Sequence, residues 1–226
     1  MSDALLVRTP VMAYEQAWDV QRRLAALLRE GRLPDVVWLL EHPPTYTYGR
    51  HGARADLYLD DDALARLGAS VHRIDRGGQM TWHGPGQTTG YVIADVRRHG
   101  GVRRFVCALV SAMAEASGIA GAAAAEPTGA YVEGRKLGSV GIRVSGGVST
   151  HGLALNRDPD LAWFARMSAC GAPDIPATTI AAEAGDPDRE RVEAALALAL
   201  AERLALRLEA VPLEAALAGA AVAAAT

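Results

Sequence analysis

The sequence predicts an α/β (α+β) fold, built as a single domain in which a mixed β-sheet is flanked by helices. Three observations lead to this prediction. Strand-like apolar runs are mixed with amphipathic helical segments, some strands occur in hairpin-like pairs, and 226 residues are enough for one substantial core. The chain shows no internal repeat and no linker, so we expect one domain over residues 1–210 and an alanine-rich tail over residues 211–226.

The composition is that of a soluble globular protein, with 50% hydrophobic and 22% charged residues. A net charge of -3 gives no electrostatic reason to expect a nucleic acid or an anionic membrane as a partner. The N-terminal residues do not have the pattern of a secretory signal, and no apolar run reaches about 18 residues. Two cysteines cannot build a disulfide framework, so we expect a reduced, cytoplasmic protein.

The first third of the chain alternates between strand and helix patterns, with a loop where proline and glycine interrupt them. In chain order, we predict a strand at 4–8, a helix at 13–30 ended by Gly31, a buried strand at 36–42, a loop over "HPPTYTYGRHG", a short helix at 61–67 and a strand at 71–75.

Two amphipathic helices are predicted in the rest of the chain. The first covers residues 102–117, and Cys107 within it is expected to be a small core residue. The second begins at Asp186-Pro187, with the aspartate as N-cap and the proline in the first helical position. Their inward-facing residues are Val102, Phe105, Val106, Leu109, Val110 and Met113 in the first, and Val192, Leu196, Leu200 and Leu204 in the second.

A glycine-rich hairpin is predicted between Lys136 and residue 156, with its turn at residues 146–147. This turn places Gly141 opposite Gly152, and two facing glycines leave a groove where a ligand can approach the backbone. His151 adjoins the groove, and Lys136 lies at the open end of the hairpin. The alternative is a glycine-rich edge hairpin without a functional role.

A second glycine-rich stretch, "RGGQMTWHGPGQ" (76–87), contains no Walker A sequence and no GxGxxG that opens a helix. Its backbone N–H groups are suited to a carbonyl, carboxylate or phosphate. A tight connection between strands explains the same composition. The chain also lacks GxSxG, which disfavours a serine hydrolase.

Lys136 is the only lysine beside 22 arginines. Because an ammonium can lose its proton and a guanidinium does not, a role that arginine cannot fill involves proton transfer or amine chemistry. Cys170 precedes a glycine in a proline-containing loop, where a thiol is accessible. The alternatives are a solvated surface lysine and a buried, inert cysteine. A zinc site built from a cysteine together with histidines among His42, His51, His83 and His151 has no supporting spacing.

Several of these stretches, in the same order, resemble the lipoyl/octanoyl transferases: "LLEHPPTYTYGR" (39–50), "DRGGQMTWHGPGQTTGY" (75–91), "GRKLGSVGIRVSGGVSTHGLALN" (134–156) and "CG" (170–171). The resemblance implies the fold of the biotin/lipoate protein ligase superfamily. It also implies a nucleophile at Cys170 and an activating lysine at Lys136, with His42 and His151 in support. The implied acyl-binding residues are Arg76, Gly77, Gly78, Gln79, Met80, Thr81, Trp82, His83, Ser139, Val140, Gly141, Gly152, Leu153 and Ala154. Ala169 departs from the family, which usually has proline before the cysteine.

The reaction implied by the resemblance moves an octanoyl group from the phosphopantetheine of acyl carrier protein, through a cysteine thioester, to the lysine of an apo lipoyl domain. The acceptors implied are E2 subunits of 2-oxoacid dehydrogenases and the glycine-cleavage H protein, and no ATP or metal is needed. Backbone N–H groups near residues 77–78 or 170–171 are expected to stabilise the oxyanion. The alternatives are an ATP-dependent lipoate-protein ligase, a cysteine hydrolase using Cys170 with His151 or His83, and a non-catalytic binder of lipoyl domains.

Overall fold

A computed structural model describes residues 1–126, 128–168, 175–185 and 187–219. The strands are β1 (Ser2–Val11), β2 (Asp35–Glu41), β3 (Thr45–Tyr48), β4 (Ser70–Arg73), β5 (Met80–His83), β6 (Gln87–Ile93), β7 (Ala123–Ala125), β8 (Gly129–Val132), β9 (Arg135–Ser145), β10 (Val148–Asn156) and β11 (Leu206–Ala210). The α-helices are α1 (Tyr14–Arg29), α2 (Asp61–Arg66), α3 (Val102–Ala116), α4 (Ile180–Ala184), α5 (Arg189–Leu204) and α6 (Leu213–Leu217), and Arg54–Asp56 and Leu161–Arg166 form 3₁₀ turns.

Within the described residues, eight strands form one mixed sheet in the order β11-β1-β2-β6-β10-β9-β8-β7. Strand β1 is parallel to both of its neighbours, β11 and β2. All other neighbouring strands of this sheet, from β2 across to β7 in the spatial order given, pair in antiparallel fashion. A separate three-stranded sheet has the order β4-β3-β5. The mixed sheet confirms the predicted fold class.

Helices cover both faces of the large sheet because each presents one apolar stripe. On one face, α3 and α5 bury Phe105, Leu109 and Leu196 against the sheet. On the other face, α1 and α6 bury Leu24 and Ala216 against β1 and β2. Full burial of a leucine or phenylalanine side chain contributes about 1.5–3 kcal/mol each, so these two layers fix the positions of the central strands.

The small sheet corrects two sequence predictions. Thr45–Tyr48 was expected within a loop and is strand β3, and Met80–His83 lies inside the glycine-rich stretch as strand β5. The Thr-Tyr alternation of β3 favours a strand, but prolines and glycines on either side obscure it in the sequence. Trp82 of β5 is fully buried and stacks on Trp163 at a ring-centroid distance of 5.5 Å, which closes the core of this sheet.

The helix predictions hold in position and need correction in detail. Helix α3 leaves Cys107 exposed, because residues 105 and 109 face the core and position 107 points away from it. Val102 is also exposed, and Val106 is only partly buried. Helix α5 starts later than predicted, since its N-cap is Asp188, whose carboxylate accepts from the N–H of Arg191. Asp186 lies outside the described residues.

The predicted hairpin is confirmed residue for residue. Ser145 pairs with Val148, and Gly141 pairs with Gly152. The hairpin is not at an edge, because β10 also pairs with β6 and β9 also pairs with β8. None of the helices in the described part of the chain has the length and apolar composition needed to cross a membrane.

Candidate active site

A pocket opens where β6, β9 and β10 meet the glycine-rich stretch 76–83, and its cavity volume is about 60 Å³. It brings together most of the residues implied by the resemblance. These are Arg76, Gly78, Gln79, Met80, Thr81, His83, Lys136, Ser139, Val140, Gly141, His151, Gly152, Leu153 and Ala154. Gly77 and Trp82 are not among its lining residues. His42 does not line the pocket either, and it contacts the hydroxyl of the lining residue Tyr91.

Arg76 ties the glycine-rich stretch to the small sheet. Its guanidinium donates to the carbonyl and the hydroxyl of Thr47 at 2.8 and 2.9 Å, and to the carbonyl of Gly77 at 3.0 Å. The N–H of Gly77 donates to the carbonyl of Ile142 at 2.9 Å. That N–H is therefore occupied by strand β9, which corrects the expectation that it stabilises an oxyanion.

The facing glycines, Gly141 and Gly152, line the pocket and also allow other backbone segments to approach closely. A Cβ on Gly141 would lie 3.2 Å from the carbonyl oxygen of Gly77, and one on Gly152 would lie 2.1 Å from that of Gly90. The missing side chains thus let the glycine-rich turn and strand β6 approach closely, as glycine permits. The predicted groove exists beside them, and part of its space is filled by the chain itself.

Lys136 is half-buried at the start of β9 and lines one end of the pocket, which we call the lysine end. Its main chain is held on both sides: its N–H donates to the carbonyl of Pro176 at 2.7 Å, and its carbonyl accepts from the N–H of Thr178 at 2.9 Å. Its Nζ lies 5.4 Å from the centroid of the Tyr131 ring, within range of a cation–π contact. The other expected catalytic residue, Cys170, lies outside the described residues.

The opposite, histidine end of the pocket is a buried group of polar side chains: Tyr14, His42, Tyr91 and His151. His42 accepts from or donates to Tyr91 Oη at 2.7 Å through Nε2, and its Nδ1 lies 2.7 Å from the carbonyl of Met12. Because a carbonyl only accepts, Nδ1 carries the proton and Nε2 accepts from the Tyr91 hydroxyl. Burial lowers the pKa of His42 to about 4, so this imidazole is neutral at pH 7.

His151 connects the histidine end to Asp75. Its Nε2 lies 2.8 Å from the Asp75 carboxylate, its Nδ1 lies 3.5 Å from Tyr14 Oη, and its own N–H donates to the side chain of Gln21 at 2.7 Å. Hydrogen bonding from His151, together with Arg143, lowers the pKa of Asp75 to about 2. Burial lowers the pKa of His151, whose backbone φ of 62° is unusual for a residue other than glycine.

His83 adjoins the histidine end, with its ring centroid 5.7 Å from that of Tyr14 and 5.8 Å from that of His42, and both of its ring nitrogens have partners. Its Nδ1 lies 2.9 Å from Gln87 Oε1, and its Nε2 lies 3.4 Å from the Thr47 hydroxyl. Burial lowers its pKa well below the ordinary range, so the ring is neutral, with the proton on Nδ1. Six positions of β9 separate Lys136 from Ile142, which pairs with His151, so the two ends lie about 20 Å apart along the strand.

Sequence reasoning missed several pocket residues. Tyr14 comes from helix α1, which reads simply as an amphipathic helix. Thr89 and Tyr91 share one face of β6 through the two-residue period of a strand, and this alternation is the sequence signal that could have identified them. Asp75, which directly precedes Arg76, does not line the pocket and contacts His151 from outside it. Among the residues that the structure describes, no three His, Cys, Asp or Glu side chains form a group able to hold a metal ion.

Comparison with known proteins identifies the family of this chain and several relatives. The chain matches the lipoyl protein ligase A/B catalytic domain over residues 13–201. An octanoyltransferase of Alkalilimnicola ehrlichii is 43% identical over 189 residues, covering 82% of this chain and 85% of that protein. An octanoyltransferase of Alcanivorax borkumensis is 38% identical over 208 residues, covering 90% and 82%.

The fold has a solved counterpart in a bipartite lipoate protein ligase from Thermoplasma acidophilum. The TM-score is 0.69 at 13% sequence identity, with 96% of this chain and 91% of that chain covered. The match of the family model over residues 13–201 shows that the chain belongs to the lipoyl protein ligase A/B catalytic domain family.

Proposed function

We propose that this protein transfers an octanoyl group from acyl carrier protein to the lysine of apo lipoyl domains, through a thioester on Cys170. The observation that carries the proposal is the only lysine of the chain, Lys136, at one end of a narrow pocket. Two pocket walls are apolar, with Met80 on β5 and Val140 and Leu153 on the hairpin, as an acyl chain requires. Octanoyltransferase relatives at 38–43% identity support the same reaction.

In the first half-reaction, Lys136 accepts the proton of the Cys170 thiol, and the thiolate attacks the carbonyl carbon of the octanoyl thioester. The bond between that carbon and the phosphopantetheine sulfur breaks. The departing sulfur takes the proton back from Lys136, and octanoyl-Cys170 remains. Exchange of one thioester for another is nearly balanced, so the proposal includes neither ATP nor a metal ion.

In the second half-reaction, the lysine amine of an apo lipoyl domain attacks octanoyl-Cys170. Lys136 removes a proton from this amine and returns it to the sulfur of Cys170 as the carbon–sulfur bond breaks. The product is an amide, which makes this half-reaction downhill. The proposed acceptors are E2 subunits of 2-oxoacid dehydrogenases and the glycine-cleavage H protein. Since the nucleophile is a free thiol, the proposed location is the reducing cytoplasm.

The histidines bear on the hydrolase alternative. A cysteine hydrolase would need His83 or His151 as general base, with a ring nitrogen directed at the thiol. Both nitrogens of His83 and both of His151 lie within 3.5 Å of polar groups of the protein itself. This arrangement favours Lys136 as the proton carrier.

Intact mass spectrometry tests the proposal. The protein is mixed with octanoyl-acyl carrier protein without ATP, as wild type, Cys170→Ser and Cys107→Ser. Cys107 is an exposed thiol on α3 and serves as the matched control. We expect an octanoyl adduct on the wild type and on Cys107→Ser only, which an apo lipoyl domain then removes to give an octanoylated domain.

Two other results would contradict the transferase proposal. Modification of the lipoyl domain that requires ATP, with no adduct on the protein, would indicate a ligase. An adduct that decays only to free octanoate, in the presence of the lipoyl domain, would indicate a hydrolase.

A further inference from the structure

A chain of buried side-chain amides runs from the pocket to the main chain that holds Lys136. His83 Nδ1 donates to Gln87 Oε1 at 2.9 Å, and Gln87 Nε2 donates to Asn156 Oδ1 at 2.9 Å. Asn156 Nδ2 then donates to the carbonyl of Thr178 at 3.0 Å. Gln87 and Asn156 face each other across the β6–β10 pair and are 2% and 4% exposed.

The direction of these hydrogen bonds is the same at every link. Each amide accepts on the side of His83 and donates on the side of Thr178. A buried amide costs free energy unless its polar atoms are paired, so this arrangement fixes both side chains in one orientation. Apolar side chains would fill an interior sheet position without such a requirement.

The series of hydrogen-bonded amides ends at residues 176–178, the segment that holds the main chain of Lys136. Residues 176–178 run parallel to the start of β9, bonding both the N–H and the carbonyl of Lys136. The Thr178 hydroxyl donates to Glu183 at 2.5 Å, and Glu183 forms two hydrogen bonds with Arg135 at 2.8 and 2.9 Å. Residues 176–178 are thus anchored from two sides, by α4 and by Asn156.

We propose that Gln87 and Asn156 are positioning residues for acyl transfer: they hold residues 176–178 against Lys136 and so place its ammonium relative to the pocket. This inference rests on the proposed function, in which Lys136 carries the proton. Because Gln87 Oε1 only accepts, His83 Nδ1 carries a proton and is the first donor of this series of hydrogen bonds. A misplacement of about 1 Å at a catalytic group can cost about 100-fold in rate.

Asn156→Asp tests the last link. The aspartate keeps an acceptor for Gln87 Nε2 and the size of the side chain, and it presents an oxygen instead of a donor to the Thr178 carbonyl. We expect kcat for octanoyl transfer to fall at least tenfold, while KM for octanoyl-acyl carrier protein stays within threefold. Hydrogen–deuterium exchange should accelerate in the peptides that contain Lys136 and Thr178.

Thr88→Val is the matched control. Thr88 is buried on β6 beside Gln87, pairs with Leu155 and, among the described residues, has no hydrogen-bond partner for its hydroxyl. We expect wild-type kcat, KM and exchange for this variant. If Asn156→Asp does not fold, Gln87→Met removes both amide contacts at similar length, and the same split between kcat and KM is expected.

Three outcomes overturn the inference or separate it from the proposed function. Wild-type kcat and exchange in Asn156→Asp would overturn it. A lower melting temperature, faster exchange throughout the protein and a change in KM as large as the change in kcat would also overturn it. Together these results would indicate a purely structural role. If the wild type forms no octanoyl adduct, the proposed function fails, and local exchange at Lys136 and Thr178 still decides whether the two amides hold this segment.

Discussion

The two ends of the pocket hold their polar groups in different ways. At the histidine end, Tyr14, His42, Tyr91 and His151 are buried and bond to one another through side chains. At the lysine end, Lys136 is half-buried and is held through main-chain hydrogen bonds to a neighbouring segment. One end is built to keep its ionisable groups neutral, and the other presents a single ionisable side chain on a fixed backbone.

The difference indicates how the work of the site is divided. Desolvation lowers the pKa of His42 and raises that of Tyr14 and Tyr91, so all three are uncharged at neutral pH. In the proposed reaction, these uncharged groups take no part in proton transfer, which is assigned to the lysine end. Substitutions at each end test this division.

The largest effect is expected for Lys136→Arg. The charge is kept and the ability to exchange a proton is lost, so we expect the rate of octanoyl transfer to fall about 10³-fold. Arg22→Lys is the control, because it makes the reciprocal change at an exposed arginine of α1, whose salt-bridge partner is Asp19. It should stay within threefold of the wild type in the same transfer assay. A Lys136→Arg rate within tenfold of the wild type would contradict a proton-carrying role.

A smaller effect is expected for Gly129→Ala, which crowds the lysine without replacing it. A Cβ at this position would lie 2.8 Å from Lys136 Cε and 2.4 Å from the Gly138 carbonyl oxygen. We expect kcat to fall by about 10- to 100-fold, because the lysine side chain is displaced.

Gly138→Ala is the control for crowding as such. Its Cβ would meet Met113 Sδ at 2.8 Å and the Ala154 carbonyl at 2.9 Å, away from the lysine. This variant should lose about 1–3 kcal/mol in the free energy of unfolding and retain most of its activity per folded molecule. Equal losses of activity in the two variants would show that the lysine is not the sensitive group.

The smallest effect concerns stability at the histidine end. The pKa of His42 is about 4 in the folded protein and about 6.5 when unfolded, so between these values the unfolded chain binds more protons. Its contribution to stability is complete above about pH 6.5 and is lost as the pH falls towards 4. Between pH 7 and pH 5 this amounts to about 2 kcal/mol.

Urea unfolding of His42→Gln at these two pH values measures that contribution. The variant should lose the corresponding part of the pH dependence, whereas His51→Gln, at an exposed histidine, should retain the wild-type dependence. A His42→Gln protein with the full wild-type slope would show that His42 is not neutralised by burial.

The sequence allowed the β9–β10 hairpin to be predicted in full, because the Gly146-Gly147 turn fixes which residues pair. It failed at β3 and β5, where prolines and glycines mark the boundaries of short strands and suggest loops instead. The N-cap of α5 was placed at Asp186 rather than Asp188, because either aspartate satisfies the local pattern. Local sequence signals thus produced both the correct and the incorrect predictions.

The candidate site likewise contains residues that local sequence signals identify and residues that they do not. Lys136 is conspicuous in the sequence because no other lysine is present, and the glycine-rich stretches locate the pocket walls. The histidine end could not be predicted, because Tyr14 and His151 are 137 positions apart and meet only through the packing of α1 on β10. The amides of Gln87 and Asn156 escaped notice for the same reason: their function depends on a contact with Thr178 rather than on neighbours in the chain.

The pairing of β1 with β11 has a consequence for synthesis on the ribosome. Ser2 to Leu6 lie beside Leu206 to Ala210, so β1 completes its hydrogen bonds on this side only after β11, which is made much later, has emerged. Until residue 210 has left the exit tunnel, one side of β1 is an open edge, of the kind on which other chains can assemble. The nascent protein therefore carries this open edge from the time that β1 emerges until residue 210 emerges.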